Sequence, residues 1–133
     1  MKKVFFVGLL ITGAGFVGCN TEEEEHNHVT ITFDEPMNDE VIPLASANDV
    51  HIHIDFVFEG EAHGYEVSLE NEADGTTVDS WDAHTHDANQ TFTTEIDLST
   101  FASGTEFHLE AKGCTDHDCD QFESADIHFS LGQ

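Results

Sequence analysis

The sequence predicts an all-β fold, a single immunoglobulin-like β-sandwich of about seven antiparallel strands over residues 29–133. Apolar and polar residues alternate along most of this range, which is the period of a half-buried strand. Turn-forming residues separate the alternating segments, and no helical period appears after residue 20. The chain contains 11 phenylalanines, so an apolar core is available despite the strong acidity.

The first three predicted strands are HVTITFDEP, VHIHIDFVFEG and YEVSLE. In the longest of them, apolar residues occupy every second position from Val50 to Phe58. Those side chains are expected to face the core, and His51, His53 and Asp55 between them to face outward. His51 and His53 share one pleat and are placed to chelate a metal weakly, although solvated strand residues are the simpler interpretation.

The remaining strands follow a turn signal at Asp74-Gly75. They are a segment near Thr76–Trp81, then TFTTEIDL, FHLEAKG and ADIHFSL. His108 and His128 take outward-facing positions on the last two. If the intervening loop closes near residues 117–119, the two imidazoles lie roughly opposite each other and form a second, weaker candidate metal pair.

Two segments resemble a known class of domain. DLSTFASGTEFHLEAKGCTDHD (97–118) is similar to the stretch that leads into the sixth strand of bacterial immunoglobulin-like and fibronectin-type domains, and FDEPMNDEVIPLASANDVHIHIDF (33–56) is similar to their opening. Over most of residues 29–131, the chain therefore resembles uncharacterised cell-surface immunoglobulin-like lipoproteins. The resemblance implies a fold rather than a function. The antibody pattern of inter-sheet cysteines around a buried tryptophan is absent from the sequence.

Residues 1–18 have the layout of a lipoprotein signal peptide. Two lysines form a positive n-region, and the apolar h-region over residues 4–17 is too short and glycine-rich for a typical membrane-spanning helix. The FVGC that follows resembles the lipobox of bacterial lipoproteins. That resemblance implies cleavage before Cys19 and a diacylglyceryl group on its thiol, so that a lipid anchor attaches the protein to a membrane. The alternative is an ordinary secreted protein with a chance cysteine.

Residues 19–28 are expected to form an acidic, lipid-anchored tether, because blocks of like charge stay solvated and extended. The run Glu22–Glu25 also resembles the export tag with which some Gram-negative groups move lipoproteins to the outer surface. A plain charged spacer is the alternative. The expected location is the cell envelope, with the anchor in the outer membrane and the domain periplasmic or surface-exposed.

The charge balance excludes some partners. Without residues 1–18, only Lys112 remains against 28 acidic residues, so the net charge is −27. Such a chain repels phosphates, which argues against nucleic acid and anionic lipid as partners. Cations or basic surfaces are the expected partners. Solubility in saline surroundings is an equally good explanation of the acidity.

The histidines are distributed unevenly over the predicted loops. If consecutive strands reverse direction, the loops after strands two, four and six (59–64, 82–90 and 114–121) share one end of the sandwich. The loops at the other end (34–48, 71–75 and 99–104) contain no histidine. Imidazole is the commonest transition-metal ligand, so the sequence predicts a zinc or copper site at the first end. The predicted ligands are His63, His84, His86 and His117, with His26 and His28 as auxiliaries because strand one begins there.

The last of these loops allows two further interpretations. Cys114 and Cys119 flank TDHD, and in an oxidising compartment they are expected to form a disulfide. A reduced Cys–His–Cys soft-metal site is the alternative. The loop acids also suggest a loose calcium site, without the glycine and the twelfth-position glutamate of an EF-hand; they are Asp116, Asp118, Asp120 and Glu123.

The expected function is therefore non-catalytic. The sequence contains no nucleophile elbow, no glycine-rich phosphate loop and no arginine for an anionic substrate. The first hypothesis is a lipid-anchored domain that binds a transition metal as a scavenger, buffer or delivery protein. The alternative is a protein-binding or adhesion module with an unidentified protein partner, whose acidity keeps it soluble and whose loops bind calcium.

Overall fold

The computed structural model describes residues 27–133, which form two β-sheets. A short 3-10 helix, Leu44–Ser46, is present between the second and third strands. Within the described residues, no helix has the length and apolar character needed to cross a bilayer. The strands are β1 His28–Glu35, β2 Glu40–Pro43, β3 Val50–Glu59, β4 Gly64–Asn71, β5 Thr76–Ala83, β6 Asn89–Ile96, β7 Glu106–Cys114 and β8 Phe122–Gly132.

The strand order identifies the fold. One sheet has the order β1-β3-β6 and the other the order β2-β8-β7-β4-β5. β1, β3 and β6 take the places of strands A, B and E of an immunoglobulin domain. β4, β7 and β8 take those of C, F and G, and β5 extends their sheet as strand C′ does. The domain is therefore an all-β, immunoglobulin-like sandwich, as the sequence predicts.

The core lies between the two sheets and is apolar. β3 contributes Ile52, Ile54 and Phe56, and β7 contributes Phe107 and Leu109, each at most 1% exposed. Full burial of one such side chain stabilises the fold by roughly 1.5–3 kcal/mol. Because apolar burial holds the sheets together, the loops at their ends can carry polar side chains without supporting the fold.

The prediction of about seven strands missed β2. This strand has four residues, and only Ile42 is buried. It pairs in parallel with β8, from Glu40 opposite Phe129 to Pro43 opposite Gly132. Four residues give too short an alternation to recognise in the sequence, so the predicted loop 34–48 contains a strand. The parallel pairing is also an exception to the all-antiparallel expectation.

Candidate metal centre

Three connections meet at one end of the sandwich, namely residues 60–63, 84–88 and 115–121. Strand pairing brings them together, since the start of β4 lies between the ends of β5 and β7. Tyr65 is opposite Ala83, and Gly64 is opposite Cys114. The backbone N–H of His63 also donates a hydrogen bond of 2.9 Å to the carbonyl oxygen of Cys114. The three loops that were predicted to share an end do so.

Gly64 permits the close approach of β4 and β5 beside these loops. Its φ is +122°, a conformation that side chains disfavour. A Cβ atom at this position would overlap the carbonyl oxygen of Ala83 and lie 3.0 Å from the Cα atom of His84. The absence of a side chain at residue 64 therefore lets the backbone of His84 lie next to His63.

The buried side chain of Gln90 supports the loop that carries His84 and His86. Gln90 is 6% exposed, and its Nε2 donates hydrogen bonds to the carbonyl oxygens of Asp87 (2.7 Å) and Thr85 (3.4 Å). One buried amide thus holds the backbone on both sides of His86. Neither Gly64 nor Gln90 is recognisable as a site residue from the sequence. Both residues act through contacts with backbone atoms of the neighbouring loop, and the sequence pattern does not indicate such contacts.

Three imidazoles converge at this end of the domain. His63, His84 and His86 each place one nitrogen within 4.8 Å of the corresponding nitrogens of the other two. Their ring centroids are 4.9 Å apart for His63 and His86, 5.0 Å for His84 and His86, and 6.1 Å for His63 and His84. Tetrahedral zinc with Zn–N bonds of about 2.05 Å separates its nitrogens by about 3.3 Å. Small side-chain rotations would therefore bring the three nitrogens to metal-binding distances.

The hydrogen bonds leave ring nitrogens available for a metal. The Nδ1 of His86 lies 2.8 Å from the carbonyl oxygen of Ala62, which can only accept a hydrogen bond. The proton therefore resides on Nδ1, and Nε2 keeps its lone pair, as in metal-binding histidines whose other nitrogen donates to a carbonyl. The Nδ1 of His63 is buried and has no hydrogen-bond partner within residues 27–133. A buried imidazole nitrogen without a partner is costly unless a ligand satisfies it.

His117 lies at the edge of this group. Its ring centroid is 4.9 Å from that of His84 and 6.3 Å from that of His63. Its side chain is 79% exposed, and its Nδ1 is 3.6 Å from a carboxylate oxygen of Asp118. It is not one of the three residues whose nitrogens already converge, but a side-chain rotation can bring it in as a fourth ligand. We refer to His63, His84, His86 and His117 as the loop cluster.

A disulfide between Cys114 and Cys119 closes the loop that carries His117, as predicted. Neither thiolate is therefore available for the alternative Cys–His–Cys site. The backbone N–H of Asp120 donates a hydrogen bond of 2.8 Å to the carboxylate of Asp116. Within residues 27–133, the four acids proposed for calcium do not form a group of three converging ligand atoms.

His28 takes a different position from the one predicted. Its Nδ1 is 2.9 Å from one carboxylate oxygen of Glu123, and the other oxygen accepts a 2.8 Å hydrogen bond from the N–H of Val29. The hydrogen bond to Glu123 and its negative charge raise the pKa of His28, and the hydrogen bond from His28 lowers the pKa of Glu123. His28 therefore does not join the three converging histidines. His26 and Cys19 lie outside the described residues.

The surroundings of the loop cluster are negative. A carboxylate oxygen of Glu61 is 3.8 Å from the Nε2 of His63. Burial raises the pKa of the Tyr65 hydroxyl, and the charge of Asp82 raises it further. Acidic side chains around the imidazoles favour the approach of a cation.

His51 and His53 do not form a shared pair on the outer face of β3. His51 lies 3.8 Å from carboxylate oxygens of both Asp49 and Glu95. His53 lies 3.7 Å from Asp34 and 3.5 Å from Asp55. Each histidine thus has its own pair of acids, an arrangement with one imidazole and two carboxylates. A single imidazole between carboxylates is a poorer set of transition-metal ligands than three imidazoles, so substitution of these two histidines is a control for the loop cluster.

Comparisons with known proteins give similarity to solved structures but no match in sequence. No family model matches the sequence, and no curated protein matches it. Among solved structures, the chain is similar to the CARDB domain of the PF1109 protein from Pyrococcus furiosus, crystallised in complex with di-metal ions. The two chains are 12% identical, the match covers 81% of this chain and 96% of that one, and the TM-score is 0.49. The assignment of the domain as an immunoglobulin-like sandwich rests on its own strand order.

Proposed function

We propose that this protein is a non-catalytic, lipid-anchored immunoglobulin-like domain that binds zinc or copper through the loop cluster. His63, His84 and His86 are the primary ligands, and His117 is the fourth. The protein acts as a metal scavenger, buffer or delivery protein in the cell envelope. A partner protein exchanges the ion at the exposed side of the site.

The convergence of three imidazoles from two separate connections carries this proposal. Their nitrogens lie within 4.8 Å of one another although residues 63 and 84 are far apart in the chain. The hydrogen bond from His86 to Ala62 directs the Nε2 lone pair of His86 away from the backbone. The buried Nδ1 of His63 has no partner among the described residues. A cation bound to these nitrogens would use lone pairs that have no partner among the described residues.

The site suits an exchangeable ion better than a structural one. Structural zinc sites are closed and supply folding energy, whereas this domain has a complete apolar core between its sheets. The 79% exposure of His117 leaves one side of the site accessible from solvent. A partner can therefore reach the ion without unfolding the domain, as a buffer or delivery protein requires.

The donor set favours zinc and copper. Three or four imidazole nitrogens without a thiolate suit these borderline cations, and calcium prefers oxygen ligands. The anchor and the envelope location rest on the sequence, namely the lipobox at Cys19 and the acidic tether of residues 19–28.

Metal titration of the purified protein tests the proposal. We expect Zn²⁺ or Cu²⁺ to bind, and calcium to give no comparable heat in calorimetry. At a free-ion concentration of about 100 times Kd, binding contributes about 2.7 kcal/mol to the stability of the native state. This corresponds to a rise in Tm of about 10 °C for a domain of this size.

Paired substitutions locate the site. His84→Ala/His86→Ala is expected to abolish most of the Tm rise, and His51→Ala/His53→Ala, which removes two other histidines, is expected to preserve it. Unchanged metal binding in the first variant would show that the loop cluster is not the site. Failure of all transition metals to bind the wild-type protein would favour the adhesion module instead.

A further inference from the structure

A second histidine cluster lies on the outer face of the five-stranded sheet. His108 on β7 and His128 on β8 are directly opposite in the antiparallel register. Their rings stack with centroids 5.0 Å apart and an interplanar angle of 23°. Asp126 lies two residues before His128 on the same face of β8. Its Oδ2 is 3.3 Å from the Nε2 of His108 and 3.4 Å from the Nε2 of His128.

Glu72, which follows β4, determines which nitrogen of His128 carries the proton. Its carboxylate contacts the Nδ1 of His128. A carboxylate only accepts hydrogen bonds, so the proton of a neutral His128 resides on Nδ1 and the lone pair on Nε2. That lone pair faces the same oxygen of Asp126 that lies beside the Nε2 of His108. A carboxylate oxygen and an imidazole lone pair repel each other unless a proton or a metal cation lies between them.

The backbone also holds His128 in place. Its N–H donates a hydrogen bond of 3.0 Å to the side-chain oxygen of Asn38, and its carbonyl oxygen accepts one of 2.7 Å from the N–H of Asp39. The segment before β2 thus fixes the strand position at which His128 projects. The side chains of His108 and Glu72 are 30% and 29% exposed. Two of the four groups are therefore largely packed against neighbours, which limits the rearrangement that an ion would require.

Within residues 27–133, no lysine or arginine forms an ion pair with the carboxylates beside these two histidines. Lys112 is the only lysine or arginine within residues 27–133, and its Nζ lies 3.8 Å from the carboxylate of Glu110. Glu70 is opposite His108 in the pairing of β4 with β7. The two imidazoles thus lie among carboxylates whose negative charge favours the binding of a cation.

We propose that His108, His128 and Asp126 form a second divalent-metal site, in which Glu72 is a positioning residue. The ligand atoms already lie within 4.8 Å of one another. Two nitrogens and an oxygen suit Zn²⁺ or Ni²⁺. His108 is six positions from Cys114, which lies beside the loop cluster, a distance of about 20 Å along β7. The two sites therefore bind separate ions, and this site has fewer nitrogen ligands and the weaker affinity.

Zn²⁺ titration of the full chain by calorimetry, with metal stoichiometry measured independently, tests this assignment. The wild-type protein is expected to bind two equivalents in two phases. His108→Ala/His128→Ala should lose the weaker phase and keep the tighter one. His84→Ala/His86→Ala should do the reverse, and the control His51→Ala/His53→Ala should keep both. Retention of both phases in His108→Ala/His128→Ala would overturn the proposal, as would a single phase in the wild type that this variant retains.

Milder substitutions keep the test valid if the double alanine variant does not fold. Asp126→Asn removes the charge of the oxygen ligand without changing its size and should also abolish the weaker phase. Glu72→Gln should weaken that phase by about ten-fold, the usual effect of losing a carboxylate partner of a ligating histidine. The ¹⁵N shifts of the His128 ring should show loss of the Nδ1–H tautomer in Glu72→Ala and its retention in Glu72→Gln, whose amide oxygen still accepts the hydrogen bond. An unchanged tautomer in Glu72→Ala would contradict the positioning role.

Discussion

Replacement of Gly64 by alanine tests whether the close approach of two strands places His84 beside His63. The φ of Gly64 is +122°, and a Cβ atom there would overlap the carbonyl oxygen of Ala83. The next contact is the Cα atom of His84, at 3.0 Å. Both are backbone atoms, so no side-chain rotation relieves the overlap. The end of β5 must move away from β4, and His84 must move with it.

The structure sets the size of the effect. A non-glycine residue in this region of φ costs about 1–3 kcal/mol. Separation of the strand ends weakens about one backbone hydrogen bond, a further loss of roughly 1 kcal/mol. We therefore expect Gly64→Ala to lower the free energy of unfolding by about 3 kcal/mol, which corresponds to a fall in Tm of about 10 °C.

Gly75→Ala provides a matched control. Gly75 lies in the turn between β4 and β5, with a φ of +68°, and no atom lies within 4 Å of the position that a Cβ atom would take there. The same chemical change at this residue adds backbone strain without an overlap. The expected loss is about 1 kcal/mol, the cost of the left-handed conformation for an L-residue.

Urea denaturation measures the two stabilities, and Zn²⁺ calorimetry at a temperature where both variants are folded measures binding. Gly64→Ala should bind zinc at the loop cluster about ten-fold more weakly, as after loss of other groups that orient a metal ligand. Gly75→Ala should bind as the wild type does. Equal destabilisation by the two substitutions, or wild-type zinc affinity in Gly64→Ala, would refute the argument.

The remaining predictions concern the tether and its junction with the domain. Because folding raises the pKa of His28, this residue stabilises the fold at pH values below its unfolded pKa, and the stabilisation is lost as the pH rises through the folded pKa. Because folding lowers the pKa of Glu123, its stabilisation is present above the unfolded pKa and is lost as the pH falls through the folded pKa. The pair should therefore contribute most between about pH 4.5 and 6.5, and NMR titration should show the pKa of His28 returning to its usual range in Glu123→Gln. Cys19→Ser should move the protein from the detergent phase to the aqueous phase when expressing cells are extracted, and continued detergent partitioning would rule out the lipid anchor.

Much of the fold follows from the two-residue period of the sequence. The alternation from Val50 to Phe58 predicts β3 and its buried face, and five apolar side chains of β3 are indeed buried. Strand count and reversal of direction then place the loops of His63, His84 and His117 at one end. The same reasoning places His108 opposite His128, because each occupies an outward position on neighbouring strands.

The missed features depend on contacts between distant residues. His28 bonds to Glu123, 95 positions later in the chain, and nothing near His28 in the sequence indicates that partner. Glu72 reaches His128 across 56 positions. Periodicity reports which face a side chain takes. It does not report which of many carboxylates in an acidic chain comes to lie beside a given imidazole.

The first strand begins at the end of the domain that carries the loop cluster. His28 begins β1 opposite Glu59, at the end of β3 that leads into the connection carrying His63. With the anchor proposed at Cys19, the nine residues to His28 span at most roughly 30 Å. A chain anchored there would enter the domain at the end that carries the loop cluster, and the pair on the sheet face would lie about 20 Å farther from that end. With that anchor in place, an ion would reach the loop cluster close to the lipid headgroups, and a donor or acceptor in the same membrane would be its nearest source or destination.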